Sequence, residues 1–241
     1  MMTIKRAGLA LMVSVVLAWI AGLFMPGYGL IDPVDQSDFP AARDALGDSA
    51  VLAHWTNFIT LIALLLMIFA FLSIYPLASR QAGAGGRLLQ FGIITSVIEW
   101  SILIIVVGMR HFEIHLMQRS NLADSGSQSA ADFEAAALGV HHGMTAVLMA
   151  FVVMFTLASI LVGLGLAKQL ASADLYKGAA YVMAASGLVG LVNFLLGMND
   201  PGLGLESLFT INGIALFAAG ACLLIVGLGM YKGRIEFAES E

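Results

Sequence analysis

Cysteine is almost absent. Cys222 is the single one and lies inside an apolar run, which excludes an intrachain disulfide and a cysteine-based metal cluster. Charge is scarce too: Asp, Glu, Lys and Arg make up 11% of the 241 residues, less than half the share usual in a soluble domain. There is no long basic block and the formal net charge is -5, so nothing points to nucleic acid as a partner. Low-complexity stretches, a convincing internal repeat and a soluble catalytic domain are also missing. What remains is apolar. Hydrophobic residues make up 60% of the chain and mean hydropathy is +0.93. No water-soluble core needs that much, so the solvent of this protein is the lipid bilayer.

Six apolar runs approach or exceed the roughly 18 residues that a helical crossing needs. They cover about 7–28, 51–76, 88–110, 142–167, 177–198 and 207–231. The sequence therefore predicts an all-α polytopic membrane protein, a bundle of six transmembrane helices forming one domain over 1–241. The first run follows Lys5 and Arg6 as the core of a signal peptide would, but no small-x-small cleavage site follows it, and it reads as a retained helix. "GLGLA", "AASGLVG" and "FAAGA" place small residues in the last three spans, which lets helices approach closely in lipid.

The connections alternate in charge. Lys5, Arg6, Arg80, Arg87, Lys168, Lys177, Lys232 and Arg234 share one side, and only Arg43, Arg110 and Arg119 the other. The positive-inside rule then puts both termini in the cytoplasm. Segments 31–50, 111–141 and 199–206 face outward, the periplasmic side of a bacterial inner membrane. After Arg110, "HFEIHLMQRS" holds no breaker before Asn121. Asp132 reads as an N-cap before "FEAAALGV", and "NLADSGSQSA" as a polar tip. The third and fourth spans are thus expected to leave the bilayer on the outer side as a helical hairpin. On the inner side, "SRQAGAGGR" reads as a flexible linker.

All five histidines fall at the outer boundary. His54 opens the second span, His111 and His115 close the third, and His141 and His142 open the fourth. At about 100° per residue, His111 and His115 share one helix face. Glu99, Val106, Arg110 and Glu113 form a second stripe, with Arg110 and Glu113 three apart as a possible ion pair. Neutral imidazole ligates zinc, copper and iron. The histidine set is a candidate ligand group for one transition metal ion (copper, zinc or iron), with Asp44 or Asp48 as further donors and Met109, Met117 or Met144 as thioether help. Two histidines from different helices, His54 with His111 or His142, are candidate axial ligands of haem b. The plain alternative is that these histidines are interfacial residues keeping a wet polar tip.

Glu99 is the only acid deep in a span. An unpaired charge there is costly, so it reads either as a proton relay or as one end of an interhelical hydrogen bond, to Asn193 or Asn212. Trp100 adjoins it as a cover, and Trp55 fits an outer aromatic belt.

"KRAGLALMVSVVLAWIAGLF", "ALGDSAVLAHWTNFITLIALLLMIFAFLSIYPLASR", "LASILVGLGLAKQ", "YVMAASGLVGLVNFLL" and "LFAAGACLLIVGLGMYKGR" together make the chain resemble a large uncharacterised family of bacterial six-helix membrane proteins, a domain of unknown function. The resemblance implies a six-helix bundle and a bacterial source. It carries no activity and no functional residues.

Three functions fit these readings. The first is a metal- or haem-binding subunit or assembly partner of a membrane redox or metal-handling system. The second is a non-catalytic accessory subunit packed against other membrane-protein subunits. The third is a small-solute or proton-coupled carrier using Glu99, although paired broken helices are lacking.

Overall fold

The computed structural model describes residues 2–80, 83–200 and 204–234. Among these, seven helices follow one another: α1 (Met2–Phe24), α2 (Phe39–Asp48), α3 (Ala50–Arg80), α4 (Ala84–Leu122), α5 (Gln128–Gln169), α6 (Leu175–Asn199) and α7 (Gly204–Tyr231). All but α2 are long and apolar enough to cross a membrane. The protein is a multi-pass membrane protein. The spans pack as a closed ring in chain order, α1 against α3, α3 against α4, and onward until α7 returns to α1. Phe91, Ile94, Ile98 and Ile105 of α4 point out of the ring and are exposed, as lipid-facing side chains should be.

The expected hairpin is formed. α4 has 39 residues and α5 has 42, about 58 and 63 Å of helix, roughly twice what a 30 Å hydrocarbon layer requires. Their seam runs in sevens. Gly92, Glu99, Val106, Glu113 and Ser120 of α4 are all buried. A Cβ on Gly92 would meet Val162 at 2.8 Å, Glu113 meets His141, and Ser120 meets Glu134. Each step along α4 is answered by an equal step back along α5. A heptad seam of this kind is the geometry of helices wound gently around each other.

One element is added to these expectations and two expectations are corrected. The acid-rich segment 31–50 contains a helix, α2, started by Pro40 in its first turn and by the Asp38 carboxylate, which accepts from the Ala41 N–H at 3.2 Å. The N-cap of α5 is Ser127, not Asp132: Gly126 turns the chain at φ 74°, and the Ser127 hydroxyl accepts from the Ala130 N–H at 3.2 Å. α4 begins at Ala84, inside the expected linker, while α3 passes through Pro76 to Arg80. Residues 81–82 of that linker lie outside the described set.

At the end of the bundle where α1 begins and α7 stops, Asp174 caps α6 by accepting from the Tyr176 and Lys177 N–H groups. Arg234 reaches it from beyond α7, donating to Asp174 and to Ser172 while lying over the Tyr176 ring. Desolvation pushes the Asp174 carboxyl up. The hydrogen bond from Arg234, joined by those from the Lys177 backbone and Ser172, outweighs it and holds the carboxyl down at about 2. A depressed acid contributes stability above its unfolded value and loses it only as pH falls through the folded one. The clasp therefore stays ionised throughout mildly acid conditions.

Candidate functional site

The ring of spans is not filled. A chamber of about 310 Å³ lies inside it, and all six spanning helices contribute to its wall. The lining is aromatic and aliphatic, with Trp19, Phe71, Trp100, Phe151, Phe155 and Phe217 among it. Trp19 stacks on Phe217 with centroids 4.3 Å apart, and Trp100 meets Phe71 edge-on at 4.5 Å. Small residues keep the space open. Gly22 lines it, and a Cβ there would meet nothing within 4 Å.

Glu99 is the one charged-type side chain in this wall. It is 3% exposed. Trp100, the next residue along α4, lines the same wall, as do the hydroxyl side chains Ser96 and Ser159. The expected bond to Asn193 or Asn212 is not made. Both amides donate instead to the Leu208 carbonyl, at 3.4 and 2.9 Å. These amides lie on α6 and α7, where the Leu208 carbonyl of α7 accepts from both. Glu99 thus combines a buried carboxyl, no hydrogen bond to another helix among the described residues, and a neighbouring void.

The five histidines lie at the same end of the bundle but do not gather at one point. His54 on α3 and His111 on α4 form a pair, Nδ1 to Nδ1 at 3.1 Å, with ring centroids 4.3 Å apart. His54 Nε2 lies 3.1 Å from Gln118 Oε1. A consistent proton assignment has His54 Nε2–H donating to Gln118 and His111 Nδ1–H donating to the free Nδ1 of His54. The rings touch directly, which leaves no room for a porphyrin between them. His115 is exposed in a shallow groove with Asp48, Trp55, Gln118 and Arg119. Asp44 is taken by Arg43, at 2.6 Å. Met117 and Met144 are buried in packing. No group of three His, Cys, Asp or Glu side chains suited to one metal ion exists among the described residues.

His141 and His142 go elsewhere. His142 is exposed, with Phe39 of α2 edge-on to it at 4.9 Å. His141 is 3% exposed and its Nδ1 lies 2.8 Å from Glu113 Oε1 on α4. Glu113 is fully buried, and its other oxygen has no hydrogen-bond partner among the described residues. Arg110 is half-buried within electrostatic range of Glu113 and Tyr28, but the close partner of Glu113 is His141. The reason is the seam: Glu113 points at α5, where His141 stands at its height.

No protein-family model, characterised protein or solved structure matches this chain.

One further space matters. A groove of about 710 Å³ opens between the loop after α1 and the start of α7. Tyr28, Gly213 and Phe217 belong to both the groove and the chamber. Gln36 folds the loop, donating to the Gly27 carbonyl at 2.7 Å, and so sets Val34 and Asp35 on the groove wall. The Ser37 backbone N–H and hydroxyl both donate to Asp35 Oδ1, at 2.8 and 2.7 Å, and hold that carboxyl below its usual range. Spacing alone did not predict these cavities. They are what remains between helices once their crossing angles are set.

Proposed function

We propose that this protein binds a small lipophilic molecule inside the membrane, in the chamber anchored by Glu99. The observation that carries the reading is the pairing of an apolar space of about 310 Å³ with one carboxyl at its wall. Ligand sites are typically apolar concavities with a few polar groups that fix orientation. An ionisable residue within a bilayer is a functional candidate by default. The reading places the protein in a bacterial inner membrane with both termini inside, and makes it a binder or carrier of its ligand. No broken helix is needed for that role.

The test uses purified protein carrying Trp55→Phe, so that the chamber residues Trp19 and Trp100 are the only emitters. Titration with the neutral fluorophore N-phenyl-1-naphthylamine is expected to give saturable energy transfer from tryptophan. Gly22→Phe, which occupies the chamber without a steric clash at its Cβ and adds no emitter, is expected to abolish the saturable part. Equal transfer in both proteins removes the chamber as a binding site.

The His54–His111 contact supports a second, reduced form of the metal reading. Two nitrogens about 3.1 Å apart match neighbouring ligands on an ion with metal–nitrogen distances of roughly 2.0 Å. Gln118 holds the far nitrogen of His54, as outer partners of ligating histidines do. The pair lies at the exposed boundary, so water would complete the shell of a copper or zinc ion. One equivalent of metal bound by the wild type and lost in His54→Ala and His111→Ala, but kept in His142→Ala, is the expected result. Retention in all three variants rules this pair out.

A further inference from the structure

Resting on the chamber reading, we infer that its ligand is a lipophilic cation and that the acidic groove beside Tyr28 is the way in. Every charged-type side chain along the described route carries a carboxyl. Asp35 and Glu206 stand in the groove and Glu99 at the inner wall, and no Lys, Arg or His lines either space. Between the two ends the wall is aromatic: Phe209, Tyr28, Phe217, Trp19 and Trp100. Ring faces attract ammonium and other soft cations, tryptophan most strongly. A carboxyl buried in this wall carries charge only when a cation stands beside it, and the described residues of the chamber wall supply none, so a bound cation would be its counter-ion. An anionic lipophile would meet the opposite arrangement at each stage: repulsion at Asp35 and Glu206, then a third carboxyl inside.

The place where the two spaces meet is also defined. Tyr28, Gly213 and Phe217 line both spaces, and a Cβ on Gly213 would stand 3.7 Å from the Tyr28 hydroxyl. That is ordinary contact distance, so Gly213 leaves a gap that a large side chain closes.

The test is a pair of isosteres, phenyltrimethylammonium and tert-butylbenzene, competing with N-phenyl-1-naphthylamine in the Trp55→Phe protein. They share a shape and differ in charge. Glu99→Gln is expected to weaken the cation about 100-fold, the scale of leaving a buried charge unpaired, and to leave tert-butylbenzene within about twofold. Unchanged tert-butylbenzene binding also certifies that the variant is folded. Asp35→Asn with Glu206→Gln is expected to slow cation association several-fold at low salt and to flatten its salt dependence. Gly213→Phe is expected to slow both compounds.

If tert-butylbenzene competes but the ammonium compound does not, or if Glu99→Gln affects both alike, the cation inference fails and the chamber reading stands. If Gly213→Phe leaves association unchanged, the groove is not the route. If Gly22→Phe leaves the fluorophore signal unchanged, the chamber reading fails and this inference goes with it.

Discussion

His141→Ala is expected to cost about 3–5 kcal/mol of stability, the range for breaking one side of a buried pair. The alanine leaves Glu113, which is fully buried, with neither oxygen paired among the described residues. Glu113→Ala is expected to cost a similar amount by stranding the imidazole. The pair itself is a different matter. Two groups that needed desolvation on folding stabilise little beyond an apolar pair of the same volume. Glu113→Leu combined with His141→Leu is therefore expected within about 1 kcal/mol of wild type. Unfolding in mixed micelles of these proteins, and of Glu113→Ala combined with His141→Ala, measures this; wild type and the three alanine proteins form the cycle that isolates the coupling. Additive single effects would mean that the two side chains act separately despite their 2.8 Å contact.

The second large effect concerns α6. Gly187→Leu is expected to destabilise by about 3 kcal/mol or more, because overpacking is costly when the neighbour cannot yield. Here the neighbours are backbone: a Cβ would lie 2.6 Å from the Thr156 carbonyl and 2.9 Å from the Ile160 nitrogen. α5 and α6 would have to separate. The same substitution at Gly22, where nothing stands within 4 Å, is expected to change stability by about 0.5 kcal/mol or less. Thermal midpoints in one detergent distinguish the two. Equal effects would show that α6 is free to shift.

Six spans were legible because a helix long enough to cross lipid leaves an apolar run that nothing else explains. α2 was not. Its ten residues lie among aspartates, and the segment shows no long apolar run. The common depth of the histidines was legible, since distance along a helix converts directly into height. Their convergence was not, because contact also depends on how neighbouring helices are rotated. His54 meets His111, while His142 of another helix does not join them. The Glu113–His141 bond sits between these cases. Folding the sequence back about a turn at 123–127 brings position 113 to within about one helical turn of 141, but not to it, and the expected partner of Glu113 was Arg110 on its own helix. Glu99 was visible as an anomaly, but its surroundings were not, since a chamber has no sequence of its own.

The seam of sevens between α4 and α5 has a consequence for descent. Losing one residue from either helix would swing everything beyond it by about 100°, turning Glu113 away from His141 or Glu99 away from the chamber. Losing seven from both, on either side of the tip, would keep every remaining tooth in its notch. The hairpin is thus a ratchet for change: its reach beyond the bilayer can lengthen or shorten among relatives only in paired clicks of two turns, while point substitutions drift freely on its outer faces.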